Sequence, residues 1–151
     1  MRPALLAALA LAASGCAHRP PAVPCAAANL PFVARAMPDI LALADPPPAT
    51  LEAGFVLCSR EEARLLVASA ALGEKGYSSY IGAGDGRGKC LRVVRTHEAS
   101  VAALEREVAT MCEIAEVHGI AYRHWQTEVG DKSVRLAGER LTIAGKARRL
   151  D

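Results

Sequence analysis

Residues 98–129, EASVAALEREVATMCEIAEVHGIAYRHWQTEV, decide the fold because they join a helix directly to a strand. Apolar residues recur at helical spacing through residues 98–118, which is typical of a helix that packs on a core. Gly119 follows and can take the left-handed backbone conformation that ends many helices. Residues 120–129 carry aromatic and β-branched side chains, which favour a strand. The predicted helical stripe consists of Val101, Leu104, Val108, Met111 and Ala115.

The residues before this stretch predict one more helix and three more strands. Residues 53–59, 77–81 and 89–96 favour strands, and residues 60–75 predict a helix. The order β-α-β-β-α-β is that of a ferredoxin-like α+β fold. We therefore expect an antiparallel four-stranded sheet in the strand order 4-1-3-2, with two helices on one face. The predicted core stripe of the first helix contains Ala63, Leu66, Val67, Ala70 and Ala71.

The composition limits the classes of function. The 151 residues include 18 Lys and Arg against 16 Asp and Glu, so the net charge is only +2. This balance argues against a nucleic-acid binder held by bulk charge. RNA-binding sheets of this topology also carry stacking aromatics on their central strands, where this chain offers Val56, Cys90 and Arg92. We expect no nucleic-acid partner.

The first residues predict export and a lipid anchor. Arg2 precedes an apolar run over residues 4–13, which is too short to span a bilayer but typical of a signal peptide. The small residues that follow end at Cys16 and resemble the lipobox of bacterial lipoproteins. The resemblance implies that residues 1–15 are removed and that Cys16 is acylated and inserted in membrane lipid. The alternative is an ordinary secretory signal in which the Cys occurs by chance. Ala17 stands where Asp would favour the inner membrane, so we expect the periplasmic side of the outer membrane.

The rest of the chain divides into three predicted parts. Residues 16–50 are rich in Pro and Ala and predict a semi-extended tether. Residues 51–130 hold the ferredoxin-type domain. Residues 131–151 form a basic C-terminal extension that can make a hairpin. The basic end of this extension, residues 146–149, is interpreted as a solvated tail or as a contact for anionic lipid headgroups.

Residues 111–128, MCEIAEVHGIAYRHWQTE, resemble the end of the RraB family, the regulators of ribonuclease E activity. That family closes with a helix, His-Gly, and Tyr-Asp-Gly-Trp-Glu on its last strand. A fainter resemblance extends over residues 52–129. It implies the fold and a protein-binding habit, but known members are acidic and cytoplasmic, and an exported chain cannot meet a cytoplasmic ribonuclease. The matching residues are His118, Gly119, Tyr122 and Trp125, whereas Arg123, His124 and Gln126 depart from the pattern.

Four cysteines follow Cys16, and an exported protein meets an oxidising compartment. Four cysteines allow three complete pairings. In the predicted sheet, the first and third strands are antiparallel neighbours, so Cys58 lies opposite Cys90. The predicted pair is a Cys58–Cys90 disulfide, and the alternative is two free, partly buried thiols. Cys25 in the tether can then pair with Cys112 beside the core stripe of the second helix.

The sheet face opposite the helices is the predicted protein-binding surface. Strand alternation points Tyr122 toward the helices and points Arg123 and Trp125 outward, where Arg92 also lies. Trp and Arg are enriched among interface hot spots, so Trp125, Arg92 and Arg123 are the candidate contacts. The alternative is that Trp125 packs under the C-terminal segment as part of the core.

No pattern in the sequence indicates catalysis, a metal site or a cofactor. The glycine-rich loop at residues 82–88 joins two strands, whereas a phosphate-binding loop leads from a strand into a helix. We therefore predict a membrane-anchored, non-catalytic domain that binds or regulates an unknown protein partner through its sheet face or an edge strand. One alternative is a small envelope protein that handles metal or thiols through Cys112 and His97, His118 and His124. The other is a cytoplasmic ribonuclease E inhibitor, if the signal is not used.

Overall fold

The computed structural model describes residues 22–84, 86 and 88–150. The predicted signal peptide and Cys16 lie outside these residues. The helices are α1 (Cys25–Leu41), α2 (Glu62–Glu74) and α3 (Val101–His118). The strands are β1 (Thr50–Ser59), β2 (Ser78–Ala83), β3 (Lys89–Glu98), β4 (Ala121–Val129), β5 (Lys132–Ala137), β6 (Arg140–Ile143) and β7 (Lys146–Arg149).

All described strands form one antiparallel sheet in the order β2-β3-β1-β4-β5-β6-β7. The prediction of a four-stranded ferredoxin-like sheet with two helices is wrong, because the described residues form a seven-stranded sheet and three helices. The additional strands come from the C-terminal extension, which forms a meander. Its turns contain Gly130, Gly138 and Gly145, all with positive φ, so short connections can reverse the chain.

The prediction of a semi-extended tether is wrong for the residues of α1. Pro31 and Pro38 lie inside this helix, and each removes a backbone donor. The helix forms nevertheless because its inner face buries Val33, Met37 and Ile40 in the core. Burial of such side chains is worth about 1.5–3 kcal/mol each, which offsets the local cost of the prolines.

The two predicted helices form, but one turns a different face to the core. In α3, Ser100 caps the first turn by accepting a hydrogen bond from the backbone N–H of Ala103 at 3.2 Å, and Gly119 ends the helix with φ 62°. In α2, the expected stripe is wrong: Leu66 and Val67 are 58% and 57% exposed. The helix has apolar residues on more than one face, and the face that packs inward carries Leu65, Ala68 and Leu72.

The helices pack on one face of the sheet and enclose a single core. α1 lies beside α3 and covers β4 and β5, whereas α2 covers β1, β2 and β3. In the described part of the chain, no helix is both long and apolar enough to cross a membrane. The opposite sheet face, called here the open face, carries no helix among the described residues.

Candidate binding site on the open sheet face

A bulge between β1 and β4 decides which side chains reach the open face. Phe55 pairs with Trp125, but Leu57 pairs with Tyr122, so the register shifts by one residue between Val56 and Leu57. The extra residue reverses the alternation on β4. Trp125 therefore points toward the helices, and its side chain is 0% exposed. The prediction that Trp125 contacts a partner is wrong. The alternative, that Trp125 is part of the core, agrees with the structure.

Trp125 lies near a buried histidine in the core. Its ring centroid lies 6.5 Å from that of His97, whose Nδ1 is 2.6 Å from the carbonyl oxygen of Glu98. Among the described residues, the indole Nε1 of Trp125 and the Nε2 of His97 have no hydrogen-bond partner. Trp125 thus contributes packing rather than a surface contact.

The open face holds a groove of about 900 Å³ that is lined by five arginines. The groove crosses β3, β1, β4, β5 and β6, and its other described lining residues include no Asp or Glu. Val56, which is 4% exposed, lies at its floor together with Ala137. The five arginines are Arg60, Arg92, Arg123, Arg135 and Arg140.

The groove arginines belong to the described cations that form no ion pair, as do Arg35, Lys75, Arg106 and Lys146. Elsewhere, Arg64 pairs with Glu61, and Lys89 pairs with Glu62. Within the part of the chain that the structure describes, none of the five groove arginines forms a salt bridge. The groove is therefore a concentration of uncompensated positive charge in a protein of nearly balanced composition.

A disulfide and a glycine loop close one end of the groove. Cys58 and Cys90 are direct cross-strand partners and are bonded, as predicted. The loop after β2 approaches this bond so closely that a Cβ on Gly84 would lie 2.7 Å from the Sγ of Cys90 and 3.0 Å from the carbonyl oxygen of Gly88. A glycine is required at Gly84 because any side chain would displace the loop or the disulfide.

The second predicted disulfide, Cys25–Cys112, is also present and ties α1 to α3. The backbone N–H of Cys25 donates to a carboxylate oxygen of Glu116 at 3.0 Å, which strengthens the same junction. Cys112 is thus engaged in a bond in the oxidised protein. Among the described residues, no group of three or more His, Cys, Asp or Glu side chains is placed to hold a metal ion.

The open face becomes acidic beyond the arginines. A neighbouring groove of about 630 Å³ is lined by Glu52 and Glu128 and shares Arg135 and Gln126 with the first. The Gln126 side chain lies across Gly54, where a Cβ would be only 3.2 Å from its Cγ. The face therefore has a positive end and a negative end.

The predicted site residues are only partly brought together. Arg92 and Arg123 line the groove, whereas Tyr122 lies on the helix side, where burial raises the pKa of its hydroxyl. Sequence reasoning missed Arg60, Arg135 and Arg140. Arg135 lies on β5 and Arg140 lies on β6. Their alternation with the buried residues Val134, Leu136 and Leu141 could have placed them on the open face.

A tyrosine–glutamate–arginine cluster lies on the helix side of the sheet. The Tyr77 hydroxyl donates to a carboxylate oxygen of Glu107 at 2.6 Å. Arg95 lies over the Tyr77 ring at 4.4 Å and pairs with Glu107 at 3.3 Å. Burial, supported by the hydrogen bond to Glu107, raises the pKa of Tyr77 to about 12.

Because of this cluster, the free energy of unfolding should decrease as the pH rises into the alkaline range. In the unfolded chain Tyr77 loses its proton near its ordinary pKa of 10, whereas the folded protein holds it to about 12. The stabilisation is therefore complete below pH 10 and is lost as the pH rises toward 12. We expect the difference in unfolding free energy between wild type and Tyr77→Phe to shrink across this range in urea titrations. Tyr80→Phe, at a position that is 58% exposed, is the matched control for removal of a tyrosine hydroxyl.

No family model, curated protein or solved structure matches this chain.

Proposed function

We propose that this protein is an exported, lipid-anchored module that holds a partner protein on the open face of its sheet and catalyses no reaction. The observation that carries the proposal is the arginine groove on a sheet whose other face is covered by helices. Arg is enriched among residues that dominate protein interfaces.

The disulfides support an oxidising location. All four cysteines of the described residues are bonded in two disulfides, and such bonds persist outside the reducing cytoplasm. This agrees with the signal and lipobox pattern that ends at Cys16. The ribonuclease target of the RraB family is not carried over. The motif residues Tyr122 and Trp125 are assigned to packing, since both side chains point toward the helices.

The start of α1 brings the groove close to the proposed anchor. Helix α1 begins at Cys25, so residues 16–24 span at most about 30 Å when fully extended. The same end of α1 contacts the turn between β5 and β6, where the backbone N–H of Gly138 donates to the Asn29 side chain at 3.1 Å. Arg140 follows that turn. The Arg140 end of the open face is thus the end that lies next to the start of α1.

The anchor is tested by the mass of the protein in membrane fractions. We expect an intact mass that lacks residues 1–15 and includes acyl chains, and we expect Cys16→Ser to abolish this processing. An unprocessed chain in the soluble fraction would contradict the anchor. That result would make inhibition of ribonuclease E the first activity to assay.

The binding face is tested by photo-crosslinking in intact cells. A photoreactive residue at Thr142, in the groove, should capture a discrete protein, and one at Gln126 should capture the same protein. The control places the photoreactive residue at Glu113, which is exposed on α3, and should capture no protein. Equal capture from Glu113, or no capture from the open face, would contradict the proposal.

A further inference from the structure

We infer that the arginine groove binds an extended, acidic segment of the partner protein, at right angles to the strands. This inference rests on the proposed function, since it specifies what the partner presents to the open face. It depends on three properties of the groove: its charge, the order of its arginines across the sheet, and its shape.

The charge of the groove favours an anionic occupant. Five guanidinium groups line it, no described acidic residue does, and none of the five forms a salt bridge among the described residues. Like charges held close together repel one another, and a bound anion relieves that repulsion. The planar guanidinium matches the geometry of a carboxylate, which can accept two parallel hydrogen bonds from it.

The arginines are ordered across the strands. Arg92 lies on β3 and pairs with Val56 on β1, which pairs with His124 on β4. Further across, Ala137 on β5 pairs with Arg140 on β6. Four strand spacings separate β3 from β6, which is about 19 Å at about 4.8 Å each. An extended segment that rises about 3.3 Å per residue covers this distance with about six residues.

Neighbouring residues limit the path of the segment. Tyr80 pairs with Arg92 at the β2 edge and is 58% exposed, so it offers an aromatic contact at one end. Glu52 and Glu128 lie in the adjacent groove and repel an acidic chain that runs along the strands. An acidic segment is therefore favoured in the crosswise direction.

The shape of the groove favours a segment over a lipid surface. Its floor is formed by Val56 and Ala137, and the long arginine side chains belong to its lining. A narrow peptide can enter such a concavity and meet several guanidinium groups together.

The test measures binding of fluorescein-labelled hexaglutamate to the oxidised full chain by fluorescence anisotropy. Wild type should bind it, with an affinity that falls as salt rises. Arg92→Glu with Arg135→Glu should weaken binding by at least about tenfold, because each replaces a charge-assisted contact with repulsion. Arg35→Glu with Arg106→Glu, at exposed positions of α1 and α3, makes the same change in net charge and should bind as wild type does. Thermal unfolding checks that all variants are folded.

The outcomes separate this inference from the proposed function. Binding of hexaglutamate that is unaffected by the groove substitutions, or no binding, overturns the acidic segment. If photo-crosslinking at Thr142 persists in that case, the proposed function stands without it. Displacement of hexaglutamate by phosphatidylglycerol vesicles, but not by phosphatidylcholine vesicles, also overturns the inference in favour of a membrane contact. Loss of the Thr142 crosslink in the Arg92→Glu, Arg135→Glu variant supports it.

Discussion

Replacing Cys25 and Cys112 with alanine should lower the free energy of unfolding by roughly 4 to 5 kcal/mol. The two residues are 87 positions apart, and the entropy of closing so long a loop in the unfolded chain gives an effect of this size. Small domains have only about 5–15 kcal/mol of stability, so the variant should be close to unfolding. Urea titration under non-reducing conditions measures the loss.

The effect should also be local. The disulfide ties the first turn of α1 to α3, and the prolines inside α1 leave this helix dependent on tertiary contacts. We expect amide hydrogen exchange in α1 to rise more than in β1 or β3. The matched control is Cys58→Ala with Cys90→Ala, whose residues are 32 apart and whose loop predicts a loss of roughly 3.7 kcal/mol. Equal protection of α1 in both variants would show that the bond does not hold this helix.

Trp125→Ala should cost about 3–5 kcal/mol of stability, the range measured for truncating a large aromatic in a packed core. The side chain is 0% exposed and pairs across the sheet with Phe55 and Leu136, so little can move to fill its volume. Trp125→Phe should cost less, because it keeps an aromatic ring and removes an indole N–H that has no partner among the described residues. Trp125 is the sole tryptophan, so circular dichroism must follow unfolding of all variants.

The control for Trp125 is a truncation on the surface. Val117 is 71% exposed, and Val117→Ala should change stability by less than about 0.5 kcal/mol. A loss below about 1 kcal/mol for Trp125→Ala would be inconsistent with its core position. Such a small loss would instead support the outward orientation of Trp125 that simple alternation predicts.

Some features of the fold follow from the strand pattern alone, whereas others depend on a local irregularity of the sheet. The partnership of Cys58 with Cys90 could be predicted because it needs only the adjacency of two strands and the parity of their residues. The orientation of Trp125 could not, because one bulged residue on β4 reverses the parity beyond it. Arg123 remained in the groove because it is the residue at that bulge.

The helical errors have a different cause. Prolines count as helix breakers in any local reading, yet α1 forms because Val33, Met37 and Ile40 gain more from burial than Pro31 and Pro38 cost. In α2, apolar residues occur at helical spacing on two faces. Only the position of the sheet decides that Leu65, and not Leu66, is buried. Both outcomes depend on contacts between residues that are distant in the sequence.

The connectivity of the disulfides has a consequence for the biogenesis of the protein. The bonds are nested: the pair Cys58–Cys90 lies within the loop closed by Cys25 and Cys112. If the N-terminus enters an oxidising compartment first, Cys25 and Cys58 reach it before their native partners, Cys112 and Cys90. Oxidation in order of arrival joins Cys25 to Cys58, and exchange by a thiolate must then undo the bond. For an exported chain, native pairing would therefore need a thiol catalyst that rearranges disulfides as well as one that forms them.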